Sequence, residues 1–78
     1  MTLEILTPEK KLYSGDASSI ILPGVDGSFQ LLDKHAPLIS ALGKGIITYK
    51  TPAETKTLSI SGGFAECLKN KVIVLVEG

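Results

Sequence analysis

Residues 45–61, GIITYKTPAETKTLSIS, decide the fold class because two alternating segments are joined by a short polar loop. In the first segment, Ile47 and Tyr49 fall on one side of an extended chain. In the second, Leu58 and Ile60 fall on one side, and threonine or serine on the other. Since side chains alternate with a period of two in a strand, this pattern predicts an antiparallel hairpin closed by the loop TPAE.

The same alternation extends along the rest of the chain, broken by turn residues about every eight to twelve positions. This spacing is typical of an all-β sandwich or barrel, and a chain of 78 residues forms a single domain, residues 1–78. The near-continuous apolar run at 72–76 indicates a central strand, and the Gly-Gly pair at 62–63 predicts a β-bulge. Further strands are predicted around Leu3 and Ile5 and at residues 11–14, 17–22, 29–32 and 64–68.

Residues 22–42 combine turn residues with apolar residues and contain the only histidine, His35. They begin with a Pro-Gly turn and continue with the Asp-Gly pair at 26–27, a strong signal for a tight hairpin. Apolar residues then recur at helical spacing, but Pro37 removes an amide and disfavours helix before it. We therefore expect strands flanking an irregular corner, with a short turn of helix near residues 38–42.

Composition and charge exclude several classes of function. The formal net charge is zero and all eight cations are lysine, whereas nucleic-acid-binding surfaces carry a basic excess that includes arginine. The longest apolar run falls far short of the ~20 residues that span a bilayer, and we expect no signal peptide before Thr2. The single cysteine, Cys67, favours a reducing compartment, by default the cytosol, and a buried thiol that packs as a hydrophobe.

The residues that could carry chemistry do not form a recognised set. His35 is the candidate for proton transfer, with Asp33 placed to orient it. A nucleophilic triad needs an activated serine or cysteine, and SISGG at 59–63 lacks the first glycine of a nucleophile elbow. One histidine and one cysteine do not make a zinc site. The GKG segment at 43–45 lacks the hydroxyl residue of a phosphate loop. Recognition by loops on a rigid scaffold is therefore favoured over catalysis.

Short motifs distributed in order over nearly the whole chain carry a family resemblance. They are YSG (13–15), LPG (22–24) with DG (26–27), HAPL (35–38), LGKGI (42–46), ISGGFAE (60–66) and NKVIVL (70–75). In this order and spacing they resemble the N-terminal domain of the epsilon subunit of F-type ATP synthase, and HAPL followed by SGGF is the most specific part. The resemblance implies an all-β sandwich of two packed sheets with about ten short strands.

The resemblance also implies a role and partners. The chain would be a non-catalytic subunit of the rotary central stalk, linking gamma to the membrane-embedded c-ring and helping couple proton-driven rotation to ATP synthesis. It would need no cofactor or metal, bind no nucleic acid, and meet the membrane only through the c-ring, on the cytoplasmic side of the bacterial inner membrane. The c-ring loops would contact Asp26, Gly27 and Ser28. Gamma would contact His35, Ala36, Pro37, Leu38 and Ser40.

The chain departs from the family pattern at two places. Gln30 stands where members commonly have glycine, and Asp33-Lys34 stands where a Pro-Gly pair precedes the histidine. Many members continue into a C-terminal helical hairpin that carries inhibition of ATP hydrolysis and, in some, ATP binding. The resemblance covers residues 1–78 and assigns neither of those functions here.

Two other classes of function are consistent with the residues alone. One is a free-standing β-sandwich adaptor that shares only the fold, and the other is a small enzyme centred on His35. In a core this small, some apolar side chains must stay outside, and these are natural interface residues. We expect Ile20, Leu32 and Ile46 to be among them.

Overall fold

The computed structural model describes residues 1–77, whose regular structure consists of nine β-strands. The predicted all-β class is confirmed, and the strand number is close to the expected one. The strands are β1 (Thr2–Leu6), β2 (Lys11–Asp16), β3 (Ser19–Gly24), β4 (Gly27–Leu32), β5 (Leu38–Leu42), β6 (Gly45–Lys50), β7 (Thr55–Ile60), β8 (Gly62–Leu68) and β9 (Lys71–Glu77).

The strands form two layers that are continuous at one corner. Sheet 1 has the order β2-β1-β9-β8-β5, and sheet 2 has the order β4-β3-β6-β7. The sheets join where β3 meets β5 at a single register position, Gly24 opposite Leu42. The chain therefore curls onto itself as a sandwich. The predicted central strand is confirmed, since β9 lies between β1, to which it is parallel, and β8, to which it is antiparallel.

The core lies between the sheets and is formed by the side chains that point inward from the strands. Burying each of its large aliphatic side chains contributes about 1.5–3 kcal/mol. Cys67 is 2% exposed, and burial raises the pKa of its thiol, so it packs as a small hydrophobe as predicted. The largest fully buried side chains are Leu3, Ile5, Ile20, Leu22, Leu31, Ile47, Val72 and Val74.

Both predicted hairpins are confirmed. In the first, β6 and β7 pair from Gly45 opposite Ile60 to Lys50 opposite Thr55. The loop that joins them is closed by Thr51, whose hydroxyl accepts hydrogen bonds from two loop amides at 3.2 and 3.1 Å. In the second, β3 and β4 pair along their whole length and leave a two-residue loop, residues 25–26.

The helical turn predicted near residues 38–42 is wrong, because this segment is strand β5. It pairs with β8 at every position, from Leu38 opposite Cys67 to Leu42 opposite Gly63. The backbone hydrogen bonds of this ladder, together with burial of the inward side chains, outweigh the helical spacing of apolar residues.

The β-bulge predicted at the glycine pair 62–63 is also wrong. There β8 pairs residue for residue with β9, and the register shift lies instead between Ile5 and Leu6 of β1. Gly63 is required for another reason: a Cβ atom at this position would overlap the carbonyl oxygen of Leu75. The absence of a side chain lets two strands of sheet 1 approach each other closely.

Candidate docking surfaces

The hairpin tip and the corner at His35 lie at opposite ends of β4, whereas β5 brings Ser40 back towards the tip, where the amide of Val25 donates to the carbonyl of Ala41 at 3.1 Å. Asp26 and Ser28 belong to the exposed tip of the β3–β4 hairpin. The six residues of β4 carry the chain about 17 Å to the corner that contains His35. The tip and the corner at His35 are therefore separate surfaces. The individual contacts assigned to these residues stay predictions.

The corner at residues 33–35 is fixed by a small polar network. The carboxylate of Asp33 accepts hydrogen bonds from the amino group of Met1 at 2.8 Å and from the side-chain amide of Asn70 at 2.9 Å. Asn70 in turn accepts one from the backbone amide of Lys34 at 2.6 Å. The amino group of Met1 and then Asn70 are the largest causes of the lowered pKa of Asp33.

His35 is exposed, and contacts with nearby backbone carbonyls orient it. Its amide donates to the carbonyl of Leu32 at 3.1 Å, and its Nδ1 lies 2.8 Å from the carbonyl oxygen of Ala36. Asp33, which the sequence placed as a candidate orienting group, directs its carboxylate to Met1 and Asn70. The geometry therefore makes His35 a surface residue of a structured corner.

The outer surface of sheet 1 is apolar over adjoining strands. Its most exposed members are Ile39 at 74%, Phe64 at 58% and Leu75 at 51%. The register places Phe64 opposite Leu75 and Leu75 opposite Leu6, so these side chains form one row across three strands. We define the apolar face as Leu6, Ile39, Ala41, Phe64, Ile73 and Leu75.

Shallow depressions follow one another across the apolar face. One of about 380 Å³ begins beside Pro37, and one of about 250 Å³ lies between Phe64 and Ile73. These two share Ile39 and Glu66 as walls. A third, of about 350 Å³, reaches the β1–β2 turn and shares Phe64 with the second. The surface is thus a continuous apolar trough that begins at the predicted gamma-side corner.

The outer surface of sheet 2 is built differently. Ser, Thr and Gln occupy most of its outward positions, and the exposed residues Ile21, Leu32 and Ile46 each lie opposite polar residues in the register. Leu32 and Ile46 are exposed, at 52% and 59%, as the sequence predicted. The exposure predicted for Ile20 is wrong, because it lies opposite Leu31 and Tyr49 in the core and is 0% exposed.

Two glutamates lie on the outer side of sheet 1 in different electrostatic surroundings. Glu4 is bridged by Lys11 at 3.3 Å and by Lys71 at 3.6 Å. The hydrogen bond from Lys11 is the largest cause of the lowered pKa of Glu4. Glu66 is exposed and lies opposite Ile39 of β5 on one side and Ile73 of β9 on the other. It takes part in none of the ion pairs formed within residues 1–77.

The predicted gamma-side contacts Leu38 and Ser40 alternate along β5 with Ile39. Leu38 and Ser40 lie opposite Cys67 and Ala65, which both point into the core, so the outward residue between them is Ile39. Ile39, Phe64 and Leu75 were missed. The run VIVLV at 72–76 could have revealed them. Its apolar residues occupy both the inward and the outward positions of a strand, and such a strand has apolar surroundings on both sides.

Two other features are absent from the described part of the chain. Residues 1–77 contain no group of three or more His, Cys, Asp or Glu side chains that could hold a metal ion. Within the same residues, no helix is long and apolar enough to cross a membrane.

These observations define a small β-sandwich domain with an apolar outer face on one sheet. All 78 residues match the family described as "ATP synthase, Delta/Epsilon chain, beta-sandwich domain". The chain belongs to this family.

Curated relatives named ATP synthase epsilon chain are similar over nearly the whole chain. The protein from Leptospira interrogans is 39% identical over 77 residues, which cover 99% of this chain and 61% of the relative. The protein from Chlorobaculum tepidum is 44% identical over 77 residues, 97% of this chain and 88% of the relative. The chain thus spans about three fifths of the length of the Leptospira relatives.

Solved structures with low sequence identity share the fold. One is a chain in the central stalk and c-ring structure of the mitochondrial ATP synthase of Tetrahymena thermophila, with a TM-score of 0.87, 19% identity, and coverage of 99% of this chain and 63% of that one. Another is a chain in the mitochondrial ATP synthase of Euglena gracilis, with a TM-score of 0.90 at 19% identity, covering 97% of this chain and 49% of that one.

Proposed function

We propose that this chain is the β-sandwich domain, residues 1–78, of a central-stalk subunit of an F-type ATP synthase. It is not catalytic itself. It links the gamma subunit to the c-ring and helps couple proton-driven rotation to ATP synthesis. The epsilon-chain relatives and the central stalk and c-ring named for the Tetrahymena structure support this role.

The observation that carries the proposal is the apolar face. Soluble domains rarely leave so many neighbouring apolar side chains in water, and such patches mark interfaces with other proteins. The face begins at the corner where gamma is proposed to contact His35, Ala36, Pro37, Leu38 and Ser40. Ile39 and Phe64 extend this contact across sheet 1.

The second partner surface is the hairpin tip at the opposite end. Asp26, Gly27 and Ser28 are exposed there and are proposed to meet the polar loops of the c-ring. The subunit would then lie peripherally at the membrane through the c-ring, on the cytoplasmic side of a bacterial inner membrane.

The fold is suited to a subunit that transmits torque and is not itself catalytic. Hydrogen-bonded ladders connect the strands within each sheet, and the shared core resists sliding of one sheet over the other. A load applied at the hairpin tip can therefore pass along β3 and β4 to the opposite end, where gamma is proposed to bind.

The proposal is tested by affinity purification of the tagged chain from detergent-solubilised native membranes, followed by identification of the recovered proteins. We expect gamma and the c subunit, and no ATPase activity in the purified chain alone. Recovery of soluble proteins without ATP synthase subunits would overturn the proposal and favour the free-standing adaptor.

A further inference from the structure

We propose that Glu66 selects the partner of the apolar face: the gamma surface that covers this face carries a lysine or arginine that pairs with the Glu66 carboxylate. This inference rests on the proposed function and names the chemistry of the partner surface. Glu66 is a carboxylate within the apolar face that forms no ion pair with any of residues 1–77.

The position of Glu66 makes it part of any contact made through this face. It lies opposite Ile39 of β5 on one side and Ile73 of β9 on the other. It also lines two of the three depressions in the trough. A partner that fills the trough therefore covers Glu66 and removes water from its carboxylate.

A covered carboxylate without a partner is strongly unfavourable, because the lost hydration is not replaced. Glu66 takes part in none of the ion pairs within residues 1–77, and Lys71, on the adjacent strand β9, bridges Glu4 at 3.6 Å. The compensating cation must then come from the partner. An arginine could donate two parallel hydrogen bonds to the carboxylate, and a lysine could provide a single charge.

A second copy of this chain is disfavoured as the occupant for the same electrostatic reason. A twofold contact centred on Glu66 would bring the two carboxylates towards each other without a cation between them. Like charges in a desolvated contact repel and act against wrong pairing. The charge pattern of the face therefore fits a basic, apolar surface on a different protein.

The test measures binding of gamma, purified from the same complex, to the intact chain and to two variants over a range of salt concentrations. Glu66→Gln keeps the side-chain shape but removes the charge, and we expect an affinity about 30-fold lower. Glu66→Lys should abolish binding. Glu54→Gln, an exposed glutamate in the β6–β7 loop, is the matched control and should bind like the unchanged chain.

Reversal of the charge on gamma gives the decisive measurement of binding. Lysines and arginines of gamma are replaced singly by glutamate, and one of these variants should restore binding to Glu66→Lys. Thermal unfolding of each variant establishes that it is folded before binding is compared.

The outcomes separate the two proposals. If the unchanged chain does not bind gamma, the proposed function fails. If it binds gamma, but Glu66→Gln binds equally well with the same salt dependence, the proposed function stands and the role of Glu66 is overturned. Self-association of the chain that strengthens in Glu66→Gln would assign the face to a second copy and also overturn the inference.

Discussion

The outer surfaces of the two sheets follow the same alternation but differ in what they present to water. In β7 of sheet 2, the inward residues Leu58 and Ile60 alternate with threonine and serine. In β9 of sheet 1, inward valines alternate with Ile73 and Leu75. β7 is the edge strand of sheet 2 and β9 lies between β1 and β8 in sheet 1, so their outer sides have different neighbours. The difference supports the proposed role of the apolar face in binding.

The difference also separates two kinds of residue in sheet 1. Inward side chains, such as Val74 at 0% exposed, contribute to the free energy of unfolding. Outward side chains, such as Ile39, contribute little to stability until a partner covers them. Substitutions on the outer face of sheet 1 should therefore change binding of gamma, and substitutions on the outer face of sheet 2 should leave it unchanged.

The largest effect is expected at Gly63, where the strands that carry the apolar face come closest. In Gly63→Ala, the added methyl group would overlap the carbonyl oxygen of Leu75, and the backbone φ of 156° is unfavourable for alanine. We expect a loss of about 3 kcal/mol in the free energy of unfolding, measured by urea denaturation.

The neighbouring glycine is the control. At Gly62 the nearest atom to an added Cβ lies 3.6 Å away, which is an ordinary contact. Gly62→Ala should therefore unfold within about 1 kcal/mol of the unchanged chain. Equal destabilisation by both changes would contradict the close approach assigned to Gly63.

The second effect compares the same residue type on the two outer faces. Ile39 and Ile46 are both exposed, at 74% and 59%, but only Ile39 lies on the apolar face. Ile39→Asp places a charge in the proposed interface, and we expect gamma affinity to fall about 100-fold. Ile46→Asp should leave gamma affinity within about twofold, and calorimetric titration measures both.

A third effect concerns dye binding by the isolated chain. Exposed apolar surface binds the dye ANS, so Leu75→Thr should lower its fluorescence more than Ile21→Thr, since Leu75 belongs to the continuous apolar face. Both side chains are partly in water, at 51% and 39% exposed. Equal reductions would indicate that the two outer faces do not differ in this property.

Much of the fold follows from local pattern, and the errors have identifiable causes. Strict alternation in residues 45–61 was enough to place β6 and β7. Strand β5 was mistaken for a helical turn, because its partner β8 lies more than twenty residues away in sequence and short-range spacing does not report that pairing. Ile20 was placed outside for a related reason: in a run of adjacent apolar residues, register decides which one points inward.

The docking surface could be predicted only in part. The tip at residues 26–28 and the corner at 35–38 were visible as turn residues beside apolar segments. The apolar face combines side chains from β1, β5, β8 and β9, and no local window of sequence contains them. The electrostatic difference between Glu4 and Glu66 depends on which lysines the fold brings near each of them.

The smallest effect is expected from the ion pairs at the edge of the apolar face. The folded chain lowers the pKa of Glu4 below the ordinary value of 4.5, first through the hydrogen bond from Lys11. A lowered pKa stabilises the folded state above the pKa of the unfolded chain, and this stabilisation is lost as pH falls through the folded value. The melting temperature of Glu4→Gln should therefore decrease less than that of the unchanged chain between about pH 5 and pH 2.

Asp33 keeps a lowered pKa in this variant, from its hydrogen bonds with the amino group of Met1 and with Asn70. Some loss of stability in acid should therefore remain in Glu4→Gln, and the additional change Asp33→Asn should reduce it further. Because Glu4 is partly exposed to solvent, added salt should screen its ion pairs. At neutral pH, salt should therefore reduce the difference in melting temperature between the variant and the unchanged chain. Parallel melting curves for all three chains across the acid range would show that neither carboxylate contributes to the loss of stability in acid.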